Sequence, residues 1–228
     1  QYERFVPPDL PRESPLPHGT TLTESFNTAD STTLGPTLTW TEFTDGATSG
    51  DAFAVLTNEC DHTYVSGSNG SSARADSDLA SADHYVQEDI TSLPGLSENA
   101  QRGPVCRFSA STATFYAARL IRTTPDIQLS KTVSGTLTNL GTSPAVTLSL
   151  PDTVKVEING STLKSFFNGT EIESITDTSI TGGVRGGIFG YQGSDFNTRT
   201  DNWEAADLVA AANPTYQPWY HRAPVLAQ

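Results

Sequence analysis

Residues 153–177, TVKVEINGSTLKSFFNGTEIESITD, decide the fold. Val154, Val156 and Ile158 alternate with Thr153, Lys155 and Glu157, the period of a strand with one buried face. STLKSFF and TEIESIT repeat the alternation, and the pairs Asn159-Gly160 and Asn168-Gly169 stand between the three runs. Asn-Gly is the strongest short hairpin signal, because a type I′ turn needs positive φ at both central residues. The stretch therefore predicts a three-stranded antiparallel meander.

The same alternation continues on both sides. Upstream, LTESFNTADS (22–31), PTLTWTEF (36–43), AFAVLTN (52–58), YVQEDIT (85–91), PVCRFSA (104–110) and TFYAARLI (114–121) read as strands. DIQLSKTV (126–133), GTLTNLG (135–141) and AVTLSL (145–150) follow with short breaks. Downstream, GGVRGGIFGYQ (182–192) is a glycine-rich strand and TDNWEAADLVAA (200–211) closes the pattern. Within the last, WEAADLVAAA (203–212) is the one stretch with helical character. Segment 59–84 reads as a large Ser-, Gly- and Asp-rich loop with one or two short strands, and as a candidate recognition surface. Roughly nine to eleven strands spaced in this way predict an all-β antiparallel sandwich or jelly roll. Its bounds are 21–210.

Two proline-punctuated arms flank it, 1–20 and 211–228. Pro7, Pro8, Pro11, Pro15 and Pro17 exclude helix and favour an extended strap. Tyr2, Phe5 and Leu10 in the first arm, with Tyr216, Trp219, Tyr220 and Arg222 in the second, are residue types that anchor interfaces. They make both arms candidates for contacts with neighbouring subunits. The competing reading folds them over the sandwich's own edges.

The 228 residues carry a formal charge of −13 with only 13 scattered Lys and Arg, which excludes a nucleic-acid backbone as partner. No apolar run reaches the length that inserts into a bilayer. Cys60 and Cys106 are too few for a disulfide framework or a closed zinc site. A disulfide between them and two buried free thiols both remain open.

The run VKVEINGSTLKSFFNGTEIESITDTSITGGVRGGIFGYQ with TDNWEAADL resembles the concanavalin A-like lectin/glucanase (laminin G-like) modules. LTESFNTADSTTLGPTLTW matches the usual start of such modules, and the likeness covers about residues 22–209. The resemblance implies the sandwich fold; it does not imply one function, since this fold hosts lectins, hydrolases and structural modules. Free-standing modules with terminal straps look like bacteriophage decoration or tail proteins. That implies a non-enzymatic protein on the virion exterior, with capsid or tail proteins, a homo-oligomer and host-surface glycans as partners. The alternative is a secreted, extracellular carbohydrate-binding module or adhesin.

Glucanases on this fold carry a Glu-x-Asp-x-x-Glu carboxylate set on one strand. Glu171, Glu173 and Asp177 do not meet that spacing, so no catalytic residues are expected. His62, beside Cys60 and Asp61, reads as a loop residue. Modules resembling this one often hold a structural calcium where first and last strands meet, which makes Glu24, Asn27, Asp30, Asp201 and Asp207 its candidate ligands. For glycan binding the candidates are Tyr64, Tyr85, Tyr191, Phe196, Asn197 and Arg199, aromatics and polar groups suited to a rim.

Overall fold

A computed structural model describes residues 19–44, 47–49, 52–62, 70–95, 99–192 and 198–208. Among them every regular element is a strand. The first half contributes β1 (Thr21–Glu24), β2 (Trp40–Thr44), β3 (Ala47–Ser49), β4 (Phe53–Leu56), β5 (Glu59–His62), β6 (Ser71–Ala75), β7 (His84–Ser92) and β8 (Ala100–Phe108). The second half contributes β9 (Phe115–Ile121), β10 (Asp126–Val133), β11 (Thr136–Asn139), β12 (Asp152–Asn159), β13 (Thr162–Phe167) and β14 (Thr170–Thr176). The glycine-rich β15 (Arg185–Gln192) and the long β16 (Thr198–Asp207) complete it.

Two eight-stranded antiparallel sheets result. Sheet A runs β14-β13-β12-β7-β16-β5-β4, with β1 also on β16; sheet B runs β11-β10-β9-β8-β15-β6-β2-β3. The meander that decided the reading is one edge of sheet A. Its turns differ from each other. Asn168 and Gly169 both have positive φ (49° and 79°), as a type I′ turn requires. In the other, Asn159 pairs with Thr162, so the loop is Gly160-Ser161 and Gly160 alone is positive, the pattern of a type II′ turn. Asn159 belongs to the strand.

The core lies between the sheets, built from alternate residues of each strand. Trp203 is fully buried, donates Nε1–H to the Gly187 carbonyl of the facing sheet at 3.1 Å, and meets the Trp40 ring edge-on at 5.1 Å. Gly186 makes the approach feasible, since a Cβ there would stand 2.8 Å from the Trp203 ring. Phe26, Phe53, Ile90, Tyr116, Leu120, Leu129 and Ile158 fill the same layer.

The sequence expectations hold in part. Segment 59–84 holds the two short strands expected of it, β5 and β6, and Ser71–Ala75 is buried throughout as an inner strand of sheet B. Its small residues gave no hydrophobic alternation to read. His62 is a strand residue in the core, 2% exposed, and not a loop group. Residues 145–150 pair only through one bridge, Asp126 with Ala145. The helical character at 203–212 gives way to strand through Asp207, because Trp203 and Ala205 must point into the core on alternate positions. The arms lie outside the described residues, and so do Tyr2, Phe5, Leu10, Tyr216, Trp219, Tyr220 and Arg222.

Candidate functional site

Sheet B is apolar on both faces, unlike an ordinary sandwich sheet with one face in water. On β9, Tyr116, Ala118 and Leu120 face the core, while Phe115, Ala117 and Arg119 face outward. Phe43, Val105, Phe108, Phe115 and Phe189 form a second buried cluster on that outer side, with Tyr191 at its margin. The β10–β11 turn folds over it: Gly135 N–H donates to the Ala113 carbonyl at 2.9 Å and Ser134 N–H to Thr114 Oγ1 at 3.0 Å.

Beside this cover lies an open cleft of about 490 Å³, lined by Asn99, Gln101, Gly135, Thr136, Leu137 and Tyr191. Its walls mix amides, a hydroxyl, an aromatic ring and an aliphatic side chain, the composition that fits a polyol with apolar ring faces. None of the six lining residues is charged.

Arg119 supports this cleft from beneath. It is 2% exposed, and all three guanidinium nitrogens are engaged. Nε donates to Ser130 Oγ at 2.9 Å, Nη1 to Gln101 Oε1 and Nη2 to Asn139 Oδ1. The Phe189 ring lies 5.6 Å away under the cation. Burial lowers its pKa to about 10, against the pull of Asp126, so it remains protonated at neutral pH.

The sequence-based glycan candidates divide between faces. Tyr191 lines the cleft. Tyr85 and Arg199 lie on the outer face of sheet A instead. The Tyr85 hydroxyl donates to Glu204, while Arg199 reaches Thr57 Oγ1 at 2.9 Å, Glu59 at 3.5 Å and Asp61 at 3.6 Å. Tyr64, Phe196 and Asn197 fall outside the described residues. Asn99, Gln101, Arg119, Thr136, Leu137 and Asn139 were not legible as site residues. One signal was available: Arg119 interrupts a run apolar on both faces, and an arginine there needs a built network.

The calcium candidates mostly hold backbone. Glu24 accepts from the Phe26, Thr37 and Leu38 amides at 3.3, 3.0 and 2.8 Å. Asp207 accepts from Thr20, Ala80 and Ser81 at 2.6, 3.1 and 2.8 Å. Asp30 accepts from Thr57 N–H and Asp201 from Asn202 N–H, each at 2.8 Å, while Asn27 is exposed. Glu24 pairs with Trp203 at one end of the β1–β16 ladder and Asp207 caps the other, roughly 13 Å apart along the strands. Among the described residues no group of three or more His, Cys, Asp or Glu is placed to hold a metal ion.

The acidic hairpin face is structural as well. Glu171 pairs with Lys164 at 2.8 Å, Glu173 accepts from Thr142, and Asp177 pairs with Lys131 at 2.8 Å. Glu59-x-Asp61 comes nearer the glucanase spacing, with Tyr64 where its last Glu would stand. Both carboxylates are held by Arg199.

Cys60 and Cys106 are buried free thiols. Cys60 Sγ lies 2.8 Å from Arg102 Nη2, and burial pushes its pKa up to about 11, which makes it a poor nucleophile. Around it sit Thr200, whose Oγ1 accepts from Arg102 Nη2 at 2.7 Å, and the fully buried Glu88. Burial pushes Glu88 up to about 7 and holds His62 down to about 3.

With this geometry in hand, the comparisons with known proteins are informative on fold. No protein-family model matches the chain, and no curated protein matches its sequence. Solved structures do match. A β-glucanase of Bacillus licheniformis aligns with TM-score 0.55 and 12% identity over 84% of this chain and 99% of that one. The endo-β-1,3-glucanase of Pyrococcus furiosus gives 0.56 and 7% over 83% and 94%. The carbohydrate-binding module CBM66 from Bacillus subtilis gives 0.52 and 13% over 73% and 91%. The chain has the concanavalin A-like jelly-roll fold. At such identities the likeness carries no activity with it, and nothing in these matches bears on a virion.

Proposed function

We propose that this jelly roll is a carbohydrate-binding module without hydrolytic activity, and that the cleft on the outer face of sheet B takes the glycan. One observation carries the reading: Tyr191, Gln101, Asn99, Thr136 and Leu137 line a single open cleft of about 490 Å³. Tyr191 offers a ring for stacking against a sugar face, and the amides and hydroxyl offer hydrogen bonds at its rim. The matches to a carbohydrate-binding module and to glucanases support the glycan class. Against hydrolysis stand the missing Glu-x-Asp-x-x-Glu strand and the lack of a carboxylate among the described residues that line the cleft.

A virion role draws on the two arms, which lie outside the described residues. The extracellular glycan-binding alternative is therefore the one this geometry favours. A glycan array probed with the purified chain, with calcium and with chelator, tests it. The expected result is binding to a defined glycan set that Tyr191→Ala abolishes, with no reducing ends released. Release of reducing ends, or binding unaffected by Tyr191→Ala, contradicts the proposal. Loss of binding with chelator would establish a calcium requirement.

A further inference from the structure

The way Arg119 is satisfied determines what the cleft presents to a ligand. A guanidinium has donors only, so it must take the carbonyl oxygens of Gln101 and Asn139 and cannot take their NH2 groups. Both amide oxygens therefore turn inward to Arg119. What remains for the cleft side is Gln101 Nε2, together with Asn139 Nδ2 on the neighbouring exposed edge. Each is a donor polarised by the cation behind it.

The charge behind them is not neutralised at contact range. Arg119 forms no ion pair within 4.0 Å among the described residues. Asp126 acts on it only from further off, and its Oδ2 is occupied by the Thr124 hydroxyl at 2.8 Å. A buried cation held by three neutral acceptors keeps its full charge, and the amides it polarises carry that field to the cleft.

We propose that the cleft on sheet B selects acidic saccharides, setting a uronate carboxylate or sulfate ester against the Gln101 and Asn139 amide donors above Arg119. This rests on the glycan-binding reading and goes beyond it by naming the ligand chemistry. The chain's charge of −13 opposes an anionic ligand at long range. At physiological salt that repulsion is screened beyond about 8 Å, so the donors at contact decide the affinity.

The test is calorimetric titration of the full chain with four probes: an oligogalacturonide trimer, the same trimer with its carboxylates reduced to alcohols, a sulfated galactan oligomer, and laminaritriose. At least one acidic probe is expected to bind about tenfold or more tightly than the neutral ones. Its affinity should weaken between about 0.05 M and about 0.5 M salt. A carboxylate-only or a sulfate-only preference supports the proposal and identifies the source of the anion. Gln101→Glu keeps an acceptor for Arg119, so the fold should survive, but it neutralises the cation. The preference for the acidic probe over the neutral ones should vanish in this variant, read as the ratio of the two affinities. Equal or tighter binding of the neutral probes overturns acid selectivity and leaves glycan binding standing. Silence towards all four overturns both.

Discussion

Two buried arginines on neighbouring strands, Arg102 and Arg119, show how one sheet can build both a closed core and an open site. Arg102 pairs with Leu120 in the β8–β9 ladder, so Arg119 is the next residue along and points the other way. Arg102 enters the space between the sheets, where Cys60, Thr200 and the Phe53 ring at 5.2 Å surround it and the fully buried Glu88 acts on it from beyond ion-pair distance. Arg119 leaves the sheet on the other side and meets neutral amides that continue to an open cleft. One charge lies beside a fully buried carboxylate between the sheets. The other is held by neutral groups that reach the cleft.

The largest expected effect breaks the closed side. Arg102→Met should cost about 3 kcal/mol in denaturant unfolding at neutral pH, because it takes the donor from Thr200 Oγ1 and Cys60 and removes the cation that lowers the pKa of buried Glu88. Adding Glu88→Gln should recover part of that loss. No recovery would mean that Arg102 acts through packing alone.

On the open side the effects should fall on binding instead. Tyr191→Ala and Gln101→Ala should each weaken glycan affinity by about tenfold or more. Tyr191→Ala should move stability by less than about 1 kcal/mol, since its side chain is only half-buried, whereas Gln101→Ala also takes an acceptor from buried Arg119 and should cost about 1–3 kcal/mol. A large loss of stability with unchanged affinity would reverse the assignment of the two sides.

A pH titration sharpens the contrast. Glu88 has its folded pKa raised from 4.5 to about 7, so the stability linked to its protonation is complete below pH 4.5 and is lost as pH rises through 7. Glu88→Gln should therefore gain stability relative to the parent chain across that window. His62 and His84, lowered from 6.5 to about 3 and about 4, act oppositely: their stability is present above pH 6.5 and is lost as pH falls toward those values. Only the difference between variant and parent isolates Glu88. A flat difference curve would place Glu88 in a wetter setting than the sandwich core.

The smallest effect lies away from both arginines. Gly169→Ala in the hairpin turn meets no atom within 4 Å, so its cost is only that of positive φ (79°), about 1 kcal/mol by thermal unfolding. A larger cost would mean that the edge meander contributes to the core more than its exposure suggests.

What was legible in the sequence followed side-chain size and alternation. Val154, Val156 and Ile158 announced their strand, and Asn168-Gly169 its turn. Ser71–Ala75 stayed hidden, because Ser and Ala look alike on either face of a sheet. Tyr191 was singled out as a candidate and does line the cleft, but its neighbours there were not. Gln101 and Asn139 lie 38 residues apart in sequence, on β8 and β11. They act together only because β9 and β10 place Arg119 and Ser130 between those strands. Cross-strand register creates that arrangement, and a single sequence does not display register. The carboxylates Glu24 and Asp207 looked like metal ligands because capping buried amides and binding a cation call for the same residue types.

The central claim is that sugar binds on the outer face of sheet B. Mapping amide and side-chain chemical shifts of the labelled chain during titration with a bound oligosaccharide tests it most directly. The account predicts shifts at Asn99, Gln101, Thr136, Leu137 and Tyr191, with the Arg119 guanidinium following. Shifts gathered instead around Tyr85 and Arg199 on sheet A would contradict it.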